Sequence, residues 1–143
     1  MPSSTARAIG FAMMAALAVA AAPVRAQDDG GRALMRELGM GGLDGKKLKK
    51  AIEKADAKSL GSKDNPIRVN MPVGEHAYLA RLRCADGTAP AEERAGSVGI
   101  GVFGNILDLY KVTCAGQPAV DVYMDMYHEG PENRPVPGFT IVE

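Results

Sequence analysis

The chain has 143 residues, with 17 Lys+Arg against 17 Asp+Glu and a formal net charge of zero. That length holds one domain and little more, and 46% hydrophobic residues argue against wholesale disorder. The neutral balance excludes a global electrostatic pull toward nucleic acid or an anionic membrane.

Residues 1–26 have the pattern of a secretory signal peptide. Arg7 supplies the positive start, and Ala8 to Ala22 form an apolar run without charge. Pro23 breaks the run, and the small residue Ala26 precedes the expected cleavage point. The run is short beside the roughly 20 residues of a membrane span, so a retained anchor is the lesser reading. No cysteine lies near the cleavage point to carry a lipid. Without Arg7 and Arg25 the mature chain carries 15 basic and 17 acidic residues, a net charge of −2. The expected location is the periplasm or the outside medium.

From Gln27 to Gly61 the sequence is polar and weakly periodic, as a partly helical linker. Leu34, Met35 and Leu38 make a short apolar stripe, stopped by glycines at 39, 41 and 42. Between Asp44 and Ser59, the residues Leu48, Ala51, Ile52 and Ala55 have helical spacing. The opposite face is basic, with Lys46, Lys47, Lys49, Lys50, Lys54 and Lys58. Such a helix suits a partner or a lipid surface. The plainer reading, a solvated helix on a mobile tether, is preferred: its apolar side chains are small, and Glu53 and Asp56 dilute the charge.

Residues 62–143 form the expected compact domain. Ile67 to Asn70 predicts a short strand. Pro72 and Gly74 lead into "EHAYLARLRC", where Ala77, Leu79, Ala80, Leu82 and Arg83 suit a helix. "ADGTAP" is a turn, "RAGSVGIGVFG" is glycine-rich and extended, and "NILDLYKVTC" alternates as a strand does. "AGQPA" connects it to "VDVYMDMYH", the cleanest period-two signal in the chain. "EGPENRPVPG" is a polar loop and "FTIVE" a last strand. The expected fold class is α+β, one main helix on a small antiparallel sheet in two layers.

In an oxidising compartment Cys84 and Cys114 are expected to pair. The bond would close a loop of roughly 30 residues and contribute about 3–4 kcal/mol in the chain-entropy picture. Their spacing is no redox motif, and two cysteines are too few for structural zinc.

No motif carries an identifiable chemistry. Gly99, Gly101 and Gly104 spell G-x-G-x-x-G, but a strand-like segment follows where the nucleotide fingerprint needs a helix. A bend or bulge is the better account. "GMGGLDGKK" departs from the phosphate-loop spacing, with Lys47 where Ser or Thr is required. His76 and His128 lack partners at a diagnostic spacing, and no serine lies in a G-x-S-x-G elbow. No metal or cofactor is expected.

One constellation stands out on the hairpin. Pairing Val112 with Tyr123, Tyr110 with Asp125 and Asp108 with Tyr127 would give one face a row of phenols and carboxylates. Leu107, Leu109, Met124 and Met126 would then form the core beneath. The row, Asp108, Tyr110, Tyr123, Asp125 and Tyr127 with His128 at its end, would suit a sugar, a cationic group or a peptide. Asp121 and Asp125, about 13 Å apart on one strand, are too distant for a glycosidase pair at about 5–9.5 Å. A one-residue slip in register would dissolve the row. The plainer alternative is half-buried tyrosines under the loops, with the carboxylates in solvent. The proline-rich tail loop is a second candidate contact, or simply a stiff connection.

The phrases "GSKDNPIRV", "YLARLRC", "FGNILDLYKVTC", "VYMDMYH" and "VPGFTIV" resemble small exported bacterial proteins with no named activity. The resemblance covers about residues 61–143 and implies that this stretch is the folded unit, with both cysteines inside. It transfers no catalytic residue, cofactor or partner.

The expectation is therefore a non-catalytic binding or interaction module whose partner is a ligand or an envelope protein, not nucleic acid. Membrane contact would come only through the leader or the basic front helix. The alternative is a small periplasmic hydrolase or lyase using Tyr110, Asp125 and a histidine.

Overall fold

The computed structural model describes Leu34, Glu37 and residues 41–143. The leader and most of the Leu34–Leu38 stripe lie outside the described residues. Two helices and six strands follow in chain order: α1 (Gly45–Ala55), β1 (Ile67–Arg68), α2 (Met71–Arg81), β2 (Leu82–Arg83), β3 (Ala91–Ile100), β4 (Ile106–Thr113), β5 (Val120–Asp125) and β6 (Thr140–Ile141). The layout is α+β, as composition and periodicity imply.

The main sheet has the order β1-β5-β4-β3, and a separate ribbon joins β2 to β6. The expectation of a purely antiparallel sheet needs correction. The meander β3-β4-β5 is antiparallel, but β1 runs parallel to β5. The direction follows from what comes next. β1 ends beside the end of β5, where Val69 N donates to Asp125 O at 3.0 Å and Met71 N to Met126 O at 2.7 Å. From there α2 returns along the sheet and delivers Cys84 to Cys114 at the far end. The two cysteines are bonded, with Cα atoms 5.9 Å apart. A bonded pair suits a compartment outside the cytoplasm. Among the described residues no helix is long and apolar enough to cross a membrane.

α2 begins earlier than "EHAYLARLRC" implies, with Pro72 in its first turn, where a missing N–H costs nothing. It also ends earlier. Leu82 is extended at φ −67°, ψ 143°, and Leu82–Arg83 pair with Ile141 and Thr140 instead of continuing the helix. A non-local pairing overrides good helix propensity here. Glu75, Tyr78, Leu79 and Leu82 stand at i, i+3, i+4 and i+7, the stripe that faces the sheet. The main core joins Tyr78, Leu79 and Leu82 to Ile67, Val69, Tyr110, Val112, Val122, Met124, Val136 and Cys84. Phe103 and Leu107 are fully buried outside that cluster.

The described part of the front segment, residues 41–61, is docked, not tethered. Leu43 N donates to Phe103 O at 2.7 Å, Ala55 is buried, and Gly61 O accepts from Tyr123 N at 2.8 Å. Gly42 has no room for a side chain: a Cβ there would lie 2.1 Å from Asn105 Oδ1. The G-x-G-x-x-G run is the β3–β4 turn with register shifts before it, followed by β4 and no helix. The bend-or-bulge account therefore holds. Met71 has φ +60°, a left-handed conformation that costs a non-glycine residue roughly 1–2 kcal/mol.

Candidate functional site

The β4–β5 register decides the fate of the hairpin row. Val112 faces Val120, Tyr110 faces Val122 and Asp108 faces Met124. This is three residues away from the expected pairing of Val112 with Tyr123, and an odd shift exchanges the faces. Asp108 and Tyr110 consequently share the α2-covered face with Val122 and Met124, while Tyr123 and Asp125 share the other with Leu107 and Leu109. The continuous row does not exist. Nor are the carboxylates in solvent, since Asp108 and Asp125 are both buried.

On the α2 face, Asp108 is gripped side-on by a guanidinium from the neighbouring strand. Arg94 Nε lies 2.9 Å from Oδ2 and Nη2 2.8 Å from Oδ1, and Ser97 Oγ donates to Oδ1 at 2.8 Å. The cross-strand register places both partners, with Arg94 opposite Tyr110 and Ser97 opposite Asp108. Tyr110 donates from its hydroxyl to Glu75 Oε2 at 3.1 Å, and the exposed His76 sets its ring edge-on to Tyr110. Glu75 is only 1% exposed, and its Oε1 has no hydrogen-bond partner. Burial, then the nearby charge of Asp108, pushes the Glu75 carboxyl above its ordinary range despite the Tyr110 bond. Burial, then Glu75, pushes the Tyr110 phenol up as well. The chemistry here is that of a carboxyl whose protonated form is favoured by burial, beside a second carboxylate held as an ion pair.

On the opposite face Asp125 is fully buried and satisfied without a permanent cation. Asn105 Nδ2 donates to both carboxylate oxygens at 3.1 Å, and Tyr127 N donates to Oδ1 at 3.1 Å. His128 Nε2 lies 3.2 Å from Oδ2 but off the line of a hydrogen bond, leaving that nitrogen without a hydrogen-bond partner. Its side chain is 7% exposed, edge-on to Phe103, which in turn lies beneath the Arg68 guanidinium. Tyr127 is 45% exposed at the end of the sheet. The six candidate residues thus divide between two faces and one end.

A third polar group pins the proline-rich loop. Glu132 Oε1 accepts from Asn133 N, Arg134 N and Arg134 Nε. Tyr78 donates its hydroxyl to Arg134 O and accepts from Val136 N. Arg68 and Arg134 both reach Asp56 at the end of α1. Burial opposes ionisation of Glu132, but hydrogen bonds from the Arg134 side chain and backbone hold its carboxyl below the usual range. These bonds make the loop a stiff connection.

Sequence reasoning missed Glu75, Arg94, Ser97 and Asn105. Glu75 had a signal, its place on the buried stripe of α2. Arg94, Ser97 and Asn105 had none, because only strand pairing brings them to their acids. No family model, curated protein or solved structure matches the chain. No group of three or more metal-ligating side chains occurs among the described residues.

Proposed function

We propose that the protein is an exported, disulfide-stapled binding module without catalysis, released into the periplasm or the medium by cleavage after Ala26. The observation that carries this reading is where exposure lies. The acid–base pairs that catalysis would use are sealed: Glu75, Asp125 and the His128 ring are buried. The large apolar side chains left in solvent gather instead at the end of the sheet near the β3–β4 turn. Tyr127, one of the expected contact residues, is exposed at this end.

Site-specific photo-crosslinking in intact cells that export the protein tests it. A photoreactive residue at Val73 or Ile100 should give adducts, and one at Gln117, at the opposite end, should not. Equal labelling at all three positions would overturn the reading. The second reading, a hydrolase or lyase, is favoured by the raised and half-partnered Glu75 carboxyl beside Tyr110. Turnover of chromogenic esters or glycosides that disappears in Glu75→Gln, with the fold retained, would establish it in place of the first.

A further inference from the structure

The exposed end is built from four separate parts of the chain. The β3–β4 turn supplies Ile100 and Val102, the start of α2 supplies Met71 and Val73, and the segments after β5 and before α1 supply Tyr127 and Leu43. These are six of the nine large apolar side chains exposed among the described residues, and Val73 is 74% exposed. Pairing places them at one end: Asn70 bridges Tyr127, Met71 N donates to Met126 O, and Leu43 N donates to Phe103 O. Met71, one of the six, has a left-handed backbone, and strained residues of this kind cluster at functional sites.

The same end carries a cationic border. α1 leaves from Leu43, and Lys46, Lys47, Lys49 and Lys50 in its first two turns are all exposed. None of the four is held in an ion pair among the described residues. Their helix turns its small apolar stripe to the protein and its lysines outward. Asp44 precedes the helix, Glu53 follows Lys49 and Lys50 by four and three residues, and Glu129 lies beyond β5; these three acids remain fewer than the four lysines.

Apolar side chains flanked by exposed lysines match the interfacial region of an anionic bilayer, where acyl chains lie just below negative headgroups. We infer that this end docks peripherally on anionic lipid, with Met71, Val73, Ile100 and Val102 entering the interface and the α1 lysines meeting the headgroups. The inference rests on the binding-module reading and names its partner. An acidic protein surface would engage the lysines equally well but gives no reason for the apolar side chains to remain open to solvent in the free protein. The overall charge of the chain does not oppose docking, because what acts within a Debye length is the local border.

Vesicle co-sedimentation of the exported, disulfide-bonded chain tests this. Vesicles of phosphatidylcholine with one part in three phosphatidylglycerol should retain the protein at low salt, and vesicles of phosphatidylcholine alone should not. The double variant V73D/I100D should lower partitioning roughly tenfold or more. The triple variant K46Q/K47Q/K50Q should lower it by a similar factor at low salt. It should match the parent protein at about 1 M salt, where the Debye length is about 3 Å. All substituted residues are exposed, and circular dichroism checks the fold. Absence of binding to the anionic vesicles, or binding indifferent to V73D/I100D, would overturn the inference. So would a dimer in sedimentation equilibrium abolished by V73D/I100D without vesicle binding, which would assign the patch to a second copy. Protein adducts from crosslinking at Val73 or Ile100 would in either case leave the binding-module reading standing.

Discussion

The two faces of the sheet each bury an aspartate, and they neutralise it by different means. Beneath α2, Asp108 has a guanidinium, fixed by two hydrogen bonds and reached through strand pairing. On the other face Asp125 has two oxygens filled by an amide and a backbone N–H, with a histidine close but out of line. The first arrangement keeps charge beside the core and, with burial, raises the carboxyl of the neighbouring Glu75. The second stabilises a carboxylate with neutral dipoles. The difference teaches that burial of an acid is set by the donors its neighbours can supply, not by which face is called the core.

The sharpest way to break this comparison is to truncate a tyrosine on each face. Tyr110→Ala should cost about 3–5 kcal/mol, as for a large buried ring, and should leave Glu75 without its donor. Tyr123→Ala, on a half-buried side chain, should cost about 1 kcal/mol. Equal losses in urea unfolding would show that the faces are energetically alike. Removing the staple with Cys84→Ser and Cys114→Ser should cost about 3–4 kcal/mol. It acts on the end of the sheet away from Asp125, so the Asn105–Asp125 contact should survive in the amide spectrum of the folded variant. Asp125→Ala should cost about 2–4 kcal/mol, because the Asn105 amide and the Tyr127 N–H lose their acceptor inside the protein. A smaller loss in the unfolding midpoint would mean that solvent reaches those donors.

The smallest effect is the most diagnostic. The Glu75 carboxyl is raised in the folded state, so its contribution to stability is fully present below the unfolded pKa of about 4.3. That contribution is lost as pH rises through the folded value. Glu75→Gln should therefore be more stable than the parent at pH 8, and the gap should close toward pH 4. Asp56 and Glu132, whose carboxyls are lowered, pull the other way in both proteins, with stability lost as pH falls. The difference between the two unfolding curves isolates Glu75. A gap independent of pH would mean that folding leaves the Glu75 carboxyl unshifted.

Much of the fold is legible in the sequence. The period-two run at Val120–Asp125, the α+β layout and the cysteine pair all follow from spacing and composition. The hairpin register is not legible, for a physical reason. Alternation fixes which residues share a face, but Asp108 and Asp125 put a charge on both faces, so polarity cannot say which face lies inside. The seven residues from Thr113 to Ala119 then set the pairing, and an odd error in that count exchanges every neighbour. The strand at Leu82–Arg83 is hidden for another reason: its partner at Thr140–Ile141 lies nearly sixty residues away, beyond any local pattern. The buried stripe containing Glu75 is legible in helical spacing, but a glutamate amid good helix formers reads by habit as a solvent position.

One consequence attaches to β3, the ten-residue strand at the margin of the sheet. Its outward backbone is a template on which a stray strand from another molecule could grow. Gly96 and Gly99 bend it at φ +130° and +91°, and Glu92 and Glu93 place adjacent like charges along it. Copies meeting edge to edge would find neither a straight ladder nor compatible charges. Gly96, and Gly99 of the run that resembles a nucleotide fingerprint, thus guard this edge against fibril growth.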